Sequence, residues 1–393
     1  MDEKKIKELL TRGVENIFPT KKFLEDALKS GKKLTLYLGI DPTGPSLHLG
    51  HAISLMKLSH FQALGHKIIM LIGSFTAMIG DPTDKLATRK PLTREQVLKN
   101  CENYKKQASA LIKFDGENPA ELKFNSDWLD KLTFKEIVEI AGNLTVPQLL
   151  ERDMFQQRLK EGKTIGLHEF LYPLMQGYDS VAMDVNGEIG GNDQTFNMLV
   201  GRDLMKSMRG KEKFVLANKL LVDTTGKKMG KSEGNMITLD DSAEEMFGKV
   251  MSWTDGMIVS GFELCTREPM NVVAAMEKRL ADGENPRDLK LELAAAIVEI
   301  YHGEKAAGEA HENFINTFSK KETPDEMLEV VADGGTVTEA LILAKFVSSK
   351  SDARRNVEQG GVKVNGEVVE SADAIVKRGD VIQKGKRHFL RIK

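Results

Sequence analysis

Two histidines three residues apart, His48 and His51, are the first residues in this 393-residue chain whose types and spacing suit chemistry. They close the stretch LTLYLGIDPTGPSLHLGH, residues 34–51, which reads as strand, turn and helix start. Apolar Leu34, Leu36, Leu38 and Ile40 alternate with Thr35, Tyr37 and Gly39, the pattern of a buried strand. Asp41-Pro42-Thr43-Gly44-Pro45 ends it, because prolines and a glycine cannot continue a ladder. Ser46 is the expected N-cap of a helix over residues 47–64, with both histidines on one face of its first turn. Gly50 removes a side chain between them, where a ligand can approach. A helix N-terminus at the carboxyl end of a parallel strand favours anions, since free N–H groups and the positive dipole end meet there. Two imidazoles add hydrogen-bond donors for phosphate oxygens. H-x-x-H spacing also suits a metal, but a third nearby ligand and the H-E-x-x-H pattern are missing, so no metal is expected.

Other groups suit the same anion. Lys227, Lys228 and Lys231 crowd the KKMGKS turn, where an anion would relieve their repulsion; a solvated basic loop is the commoner fate of such a run. The glycine spacing of a P-loop is absent there. Lys85 and Arg89, beyond the Gly80-Asp81-Pro82-Thr83 turn, suit a polyphosphate clamp, and a solvated loop fits them equally. Tyr172, Gln176 and Asp179 share one face of a helix over residues 165–179. Such groups need partners when buried, so this is either a polar helix–helix network or a ligand-binding face. Asp193 follows the Gly190-Gly191 turn, placed to hold ribose hydroxyls.

The elements that must carry these groups repeat as strand, turn, helix. Strands at 34–40, 67–73, 180–185 and 214–217 predict an α/β fold with a parallel sheet, helices on both faces and ligands at the carboxyl ends of the strands. Residues 3–18 have helical spacing, and 93–112 read as a helix capped by Thr93 with Gln96 three residues on. Residues 122–166 read as a mostly helical insertion and a candidate dimer surface. Residues 244–316 are helical and 319–337 are a polar linker. The tail, 338–393, holds a helix over 339–346, then a helix running into a hairpin turned at Asn365-Gly366. From Lys345 onward 12 lysines and arginines face six acids, so this is where a phosphate backbone would bind, with Lys350, Arg354, Arg355 and Lys363 as expected contacts. The whole-chain net charge of -2 excludes any general bias toward nucleic acid. No apolar run approaches a membrane span, the charged start MDEKKIKELL is not a signal peptide, and two cysteines fit a reducing cytoplasm.

HLGH at 48–51 paired with KMGKS at 228–232 resembles the HIGH and KMSKS elements of class I aminoacyl-tRNA synthetases. YLGIDPTGPSLHLGH, GDPTDK, YPLMQGYD and GGNDQ are similar to stretches of the bacterial tyrosyl-tRNA synthetases, and the tail resembles an S4-type RNA-binding module. The resemblance covers nearly the whole chain. It implies a Rossmann-like catalytic domain over 1–232, an α-helical anticodon-binding domain over 233–330 and a small α+β S4-like domain over 338–393. It implies ATP with Mg²⁺ as a substrate, no tightly bound cofactor, L-tyrosine and tRNA(Tyr) as partners, a homodimer and a cytoplasmic location. Tyr37 and Asp179 would bond the substrate phenol, and Asp81, Tyr172 and Gln176 its ammonium group. Asp41 and Gln194 would lie near its carboxylate and ammonium end. Thr43, His48 and His51 would contact ATP phosphates, with Gly50 beside them. Gly39, Gly191 and Asp193 would line the adenosine site, and Lys85, Arg89, Lys228 and Lys231 would close over pyrophosphate. A substrate carboxylate attacking the α-phosphorus needs no general base, so catalysis becomes positioning and charge stabilisation. Gly230, Leu86, Asn192, Thr195 and Phe196 depart from the commoner family residues. The rival readings are a nucleotidyltransferase making a dinucleotide cofactor, the tryptophanyl relative, and a non-catalytic RNA-binding protein.

Overall fold

The computed structural model describes residues 3–82, 91–229, 235–319, 327–385 and 388–393. The chain divides into two units, Met1–His311 and Glu312–Lys393. The first is built on six strands: β1 (Val14–Phe18), β2 (Thr35–Ile40), β3 (Lys67–Ile72), β4 (Glu121–Phe124), β5 (Gly187–Gly191) and β6 (Phe214–Asn218). Their order is β1-β6-β5-β2-β3-β4. β2 through β6 pair in parallel, and β1 is an antiparallel edge on β6. In β3, Ile68 to Ile72 are all buried, which explains its unbroken apolar run. Chain direction across the sheet reverses between β2 and β5, and a crevice opens at such a switch point, outside the carboxyl ends of the strands.

Several expected elements differ. Residues 3–18 are not one helix: Glu3–Leu9 is helical, Gly13 turns the chain with φ +61, and Val14–Phe18 is β1. The apolar run 180–185 is not a strand. Helix Leu167–Met183 runs through it and ends at Asp184, whose φ is 51. The strand is the glycine-rich GEIGG, so Gly190 and Gly191 end β5 rather than form a turn before a helix. Glycine is required at 187, where a Cβ would lie 2.0 Å from the Phe214 ring on β6. The stretch 122–166 begins inside the sheet as β4, and its helical part starts at Ser126. The 93–112 helix breaks into Arg94–Cys101 and Tyr104–Ala108, with the expected Thr93/Gln96 capping box formed in both directions.

The helices Ala243–Met251, Ile258–Cys265, Met270–Ala281, Pro286–His302 and Glu304–Ser319 come after the sheet in the chain. Arg12 ties the N-terminal strand to them. Buried, it donates to the carbonyls of Phe262, Glu263, Thr266 and Glu268 at 3.1, 2.9, 2.7 and 2.5 Å, satisfying the end of the Ile258–Cys265 helix. Arg12→Ala strands those carbonyls and is expected to lower stability by about 2 kcal/mol. A urea titration checks this, and an unchanged midpoint would contradict it.

In the second unit β7 (Leu328–Val330) lies within the stretch expected as a linker. It joins β8 (Val362–Val364), β9 (Glu367–Val368), β10 (Val381–Lys384) and β11 (His388–Ile392) in the order β7-β11-β10-β8-β9. Helices Val337–Leu343 and Lys350–Glu358 pack Val337, Leu341 and Val357 into one core with Val362, Ile382 and Leu390. Asn365 and Gly366 take φ of 50 and 90, the geometry of a two-residue type I′ hairpin, as their sequence predicts.

Candidate active site

A cavity of about 430 Å³ opens at the carboxyl ends of β2 and β5. Helix Leu49–Ala63 points its N-terminus at it, with His48 rather than Ser46 as the N-cap. The helix starts later than expected because residues 47–49 are held extended: Leu49 N–H donates to Ile237 and Leu239 N–H to Leu47. Ser46 instead donates to Asp240. His48 Nδ1 accepts from the Gly50 N–H at 3.0 Å, and His51 Nδ1 accepts from the His48 N–H at 3.2 Å. Gly50 makes room for an imidazole, since a Cβ there would lie 2.8 Å from His48 Cε1. With both Nδ1 atoms accepting, each neutral ring carries its proton on Nε2. Burial, then Lys228, lowers the His48 pKa to about 4, and burial, then His48, holds His51 well below the ordinary histidine value. At neutral pH both rings are therefore uncharged donors lining the cavity.

Tyr37 and Asp179, both buried, also line the cavity. The Tyr37 hydroxyl is 3.0 Å from Ser180 Oγ. Asp179 accepts from Trp128 Nε1 at 2.8 Å and Asn125 Nδ2 at 3.3 Å. Burial pushes the Asp179 pKa well above the carboxylate range, while Trp128 and Asn125 pull it down. The arrangement fits a ligand hydroxyl, which can donate and accept at once.

In the same cavity, Asp41 accepts from Thr76 Oγ1 at 2.6 Å and from the Tyr172 hydroxyl at 2.9 Å. Burial raises its pKa to about 7. Gly73 leaves it space, because a Cβ there would lie 1.8 Å from Asp41 Oδ1. Gln194 Nε2 donates to Asp81 at 2.7 Å, and Gln176 Nε2 to Glu188 at 3.2 Å. Tyr172, Gln176 and Asp179 thus line the cavity and join a polar network whose partners are Asp41, Glu188, Asn125 and Trp128. Thr43, Gly39 and Gly191 also line the cavity. Asp193 receives Lys228 Nζ at 2.7 Å. Lys85, Arg89 and Lys231 lie outside the described residues, as do Leu86 and Gly230. In the second unit, Lys350, Arg354 and Arg355 lie on helix Lys350–Glu358 and Lys363 on β8. Arg354 and Arg355 face Asp373 and Asp352 in exposed pairs. Among the described residues no cluster of three His, Cys, Asp or Glu could hold a metal ion.

Sequence reasoning missed Thr76, Asn125, Trp128, Glu188 and Lys213. The signal for Glu188 was a charged residue inside a run of glycines; Asn125 and Trp128 carried none, since they act on Asp179 from a segment 51 or more residues away in the chain.

One crevice is thus lined by a histidine-capped helix start and by the buried Tyr37 and Asp179. The model of the class I tRNA synthetases (W and Y) matches residues 29–319, and the chain belongs to that family. The S4 domain model matches residues 340–382. The relatives it resembles include a tyrosine–tRNA ligase 2 of Vibrio vulnificus, 46% identical over 98% of this chain and 97% of that one. The tyrosine–tRNA ligase of Haemophilus influenzae is 44% identical over 98% and 96%. Among solved structures, a C-terminally truncated mitochondrial tyrosyl-tRNA synthetase of Coccidioides posadasii matches with a TM-score of 0.64 and 26% identity over 79% of this chain and 91% of that one. The tyrosyl-tRNA synthetase of Archaeoglobus fulgidus, complexed with L-tyrosine, shares the fold at a TM-score of 0.61 and 22% identity, over 79% of this chain and all of that one.

Proposed function

We propose that this chain is a tyrosine–tRNA ligase, which activates L-tyrosine with ATP to tyrosyl-adenylate and transfers it to tRNA(Tyr). The observation that carries the choice of amino acid is the Tyr37/Asp179 pair lining the same cavity as the histidine-capped helix. Tyrosine lies with its phenol between Tyr37 and Asp179, and its ammonium group near Gln176, Tyr172 and Asp81. Asp41 and Gln194 lie at the carboxylate and ammonium end. ATP enters as its Mg²⁺ complex, with ribose at Asp193 and phosphates at Thr43, His48 and His51. Gly39 and Gly191 let the adenosine approach the strand ends, and Gly50 the phosphates. The tyrosine carboxylate attacks the α-phosphorus, an O–P bond forms and pyrophosphate leaves. The Nε2 donors stabilise the charge that develops, because they are fixed before reaction and need no reorganisation. Lys228, with Lys231, Lys85 and Arg89, neutralises the departing pyrophosphate. For Lys228 this means leaving Asp193, which the ribose then takes.

Transfer to tRNA rests on the S4-like tail, whose Lys350, Arg354, Arg355 and Lys363 contact the phosphate backbone. We assign residues 1–232 to catalysis, 233–330 to the anticodon and 338–393 to this RNA module. No helix among the described residues is long and apolar enough to cross a membrane; the proposed location is the cytoplasm. Charging of bulk bacterial tRNA with labelled tyrosine, phenylalanine or tryptophan tests the reading. Label transferred from tyrosine alone is expected, and label from tryptophan instead would favour the other branch of the family.

The helical part of the insertion exposes Phe134 (82%) and Val146 (60%), and Leu167 just after it is exposed too (77%). Exposed apolar side chains that gather into one patch mark an interaction site. We assign it to a homodimer. Phe134→Asp is expected to shift the light-scattering mass at micromolar concentration from two chains to one. A wild-type monomer under those conditions would contradict the assignment.

A further inference from the structure

Glu188, which lines the cavity, belongs to a buried charged pair that the proposed chemistry does not use. Lys213, the residue before β6, is fully buried, and its Nζ bonds both Glu188 on β5 and Ser180 Oγ, the latter at 2.7 Å. The ammonium lies 5.7 Å from the Tyr37 ring centroid. Its space comes from Gly201, where a Cβ would lie 2.6 Å from Nζ and 2.9 Å from Ser180 Oγ. Glu188 uses one oxygen for Lys213 and offers the other to Gln176 Nε2 at 3.2 Å. Gln176 Oε1 is buried and has no hydrogen-bond partner among the described residues, though Gln176 lines the cavity.

We infer that the buried Glu188–Lys213 pair is a positioning device for the amino-acid site: it fixes which end of the Gln176 amide meets the substrate's ammonium group. A carboxylate only accepts hydrogen bonds, so Gln176 must present its NH₂ to Glu188 and keep its carbonyl for the ligand. An ammonium group only donates, and the carbonyl is the end it needs. Leaving that carbonyl buried and unpaired is unfavourable, and ligand binding relieves it. Lys213 fixes the direction of the chain of bonds. An amide at position 188 would have to turn its single oxygen to Lys213, which cannot accept, and its NH₂ to Gln176. Gln176 would then reverse and present N–H groups to the ammonium. Through Ser180 the same lysine also steadies the Tyr37 hydroxyl, so one buried pair sets both ends of the tyrosine site. Glu188 and Lys213 act through Gln176 and Tyr37 and are positioning residues.

The inference rests on the tyrosine reading of the cavity, and its test separates the two. Tyramine keeps the phenol and ammonium of tyrosine, and 3-(4-hydroxyphenyl)propionate keeps the phenol and carboxylate. Both are measured as competitors of tyrosine in ATP–pyrophosphate exchange by the full chain, together with the KM for ATP. In Glu188→Gln the inhibition constant for tyramine is expected to rise about tenfold or more, while that for the propionate and the KM for ATP change less than about threefold. The double variant Gln176→Glu/Glu188→Gln restores an acceptor toward the ammonium, and tyramine is expected to return to within about threefold of wild type. Equal weakening of both competitors in Glu188→Gln, or no recovery in the double variant, would overturn the inference and leave the tyrosine reading standing. If Glu188→Gln does not fold, the double variant decides by the same criterion. Failure of both compounds to compete in the wild type would overturn the tyrosine reading and this inference with it.

Discussion

His51→Asn is expected to slow tyrosyl-adenylate formation by about 10²- to 10³-fold, the usual effect of removing one fixed donor to developing charge. The choice of asparagine separates two roles. Its side-chain oxygen can replace Nδ1 as the acceptor for the His48 N–H, which keeps the helix cap. It cannot reach where Nε2 lies. A rate close to wild type would mean that the pair is only a cap. His48→Asn is expected to act in the same direction, since its ring is held the same way by Gly50. The pH dependence follows from the same burial. His48 titrates at about 4 and His51 well below its ordinary value, so no histidine limb is expected in the rate between pH 6 and 8. Stability follows the depressed-pKa rule. Unfolded imidazoles take up protons near 6.5 and the folded His48 only near 4. What the His48 ring contributes to stability is therefore complete above about pH 6.5 and is lost as pH falls toward 4, and His51 acts in the same direction.

Asp179→Asn is expected to lower kcat/KM for tyrosine by about tenfold to hundredfold and to leave that for phenylalanine nearly unchanged. The two carboxyl oxygens of Asp179 take the Asn125 and Trp128 donors, one each, and keep acceptor capacity for a ligand hydroxyl. An amide has one oxygen for those donors, and its NH₂ must face either Asn125 or the phenol. Phenylalanine brings no hydroxyl to this position, so it loses nothing. Pyrophosphate exchange with each amino acid measures the ratio. An equal fall for both substrates would show that Asp179 shapes the pocket without reading the hydroxyl.

Much of this site could be read from the chain. The run from Leu34 to His51 announced strand, turn and helix because apolar alternation, proline and glycine all act locally. The Thr93/Gln96 box and the Asn365-Gly366 turn were legible for the same reason. What escaped depends on distant residues. β5 was hidden because glycine has low strand propensity; the reason for Gly187 is a phenylalanine ring on the neighbouring strand. The run at 180–185 looked like a strand because its apolar residues could equally end a helix. His48 became the cap because residues 237–239 hold the preceding backbone extended, a contact nearly 200 positions away. Lys213 reads as one more surface lysine until Gly201 and Ser180 are seen to make a chamber for it.

ATP–pyrophosphate exchange with each of the amino acids in turn, with Mg²⁺ and without tRNA, tests the central claim most directly. Exchange supported by tyrosine, and by neither phenylalanine nor tryptophan, is the expected result. Exchange driven by another amino acid would contradict the Tyr37/Asp179 reading while keeping the class of reaction, and no exchange with any of them would contradict the account of the cavity as a site of amino-acid activation.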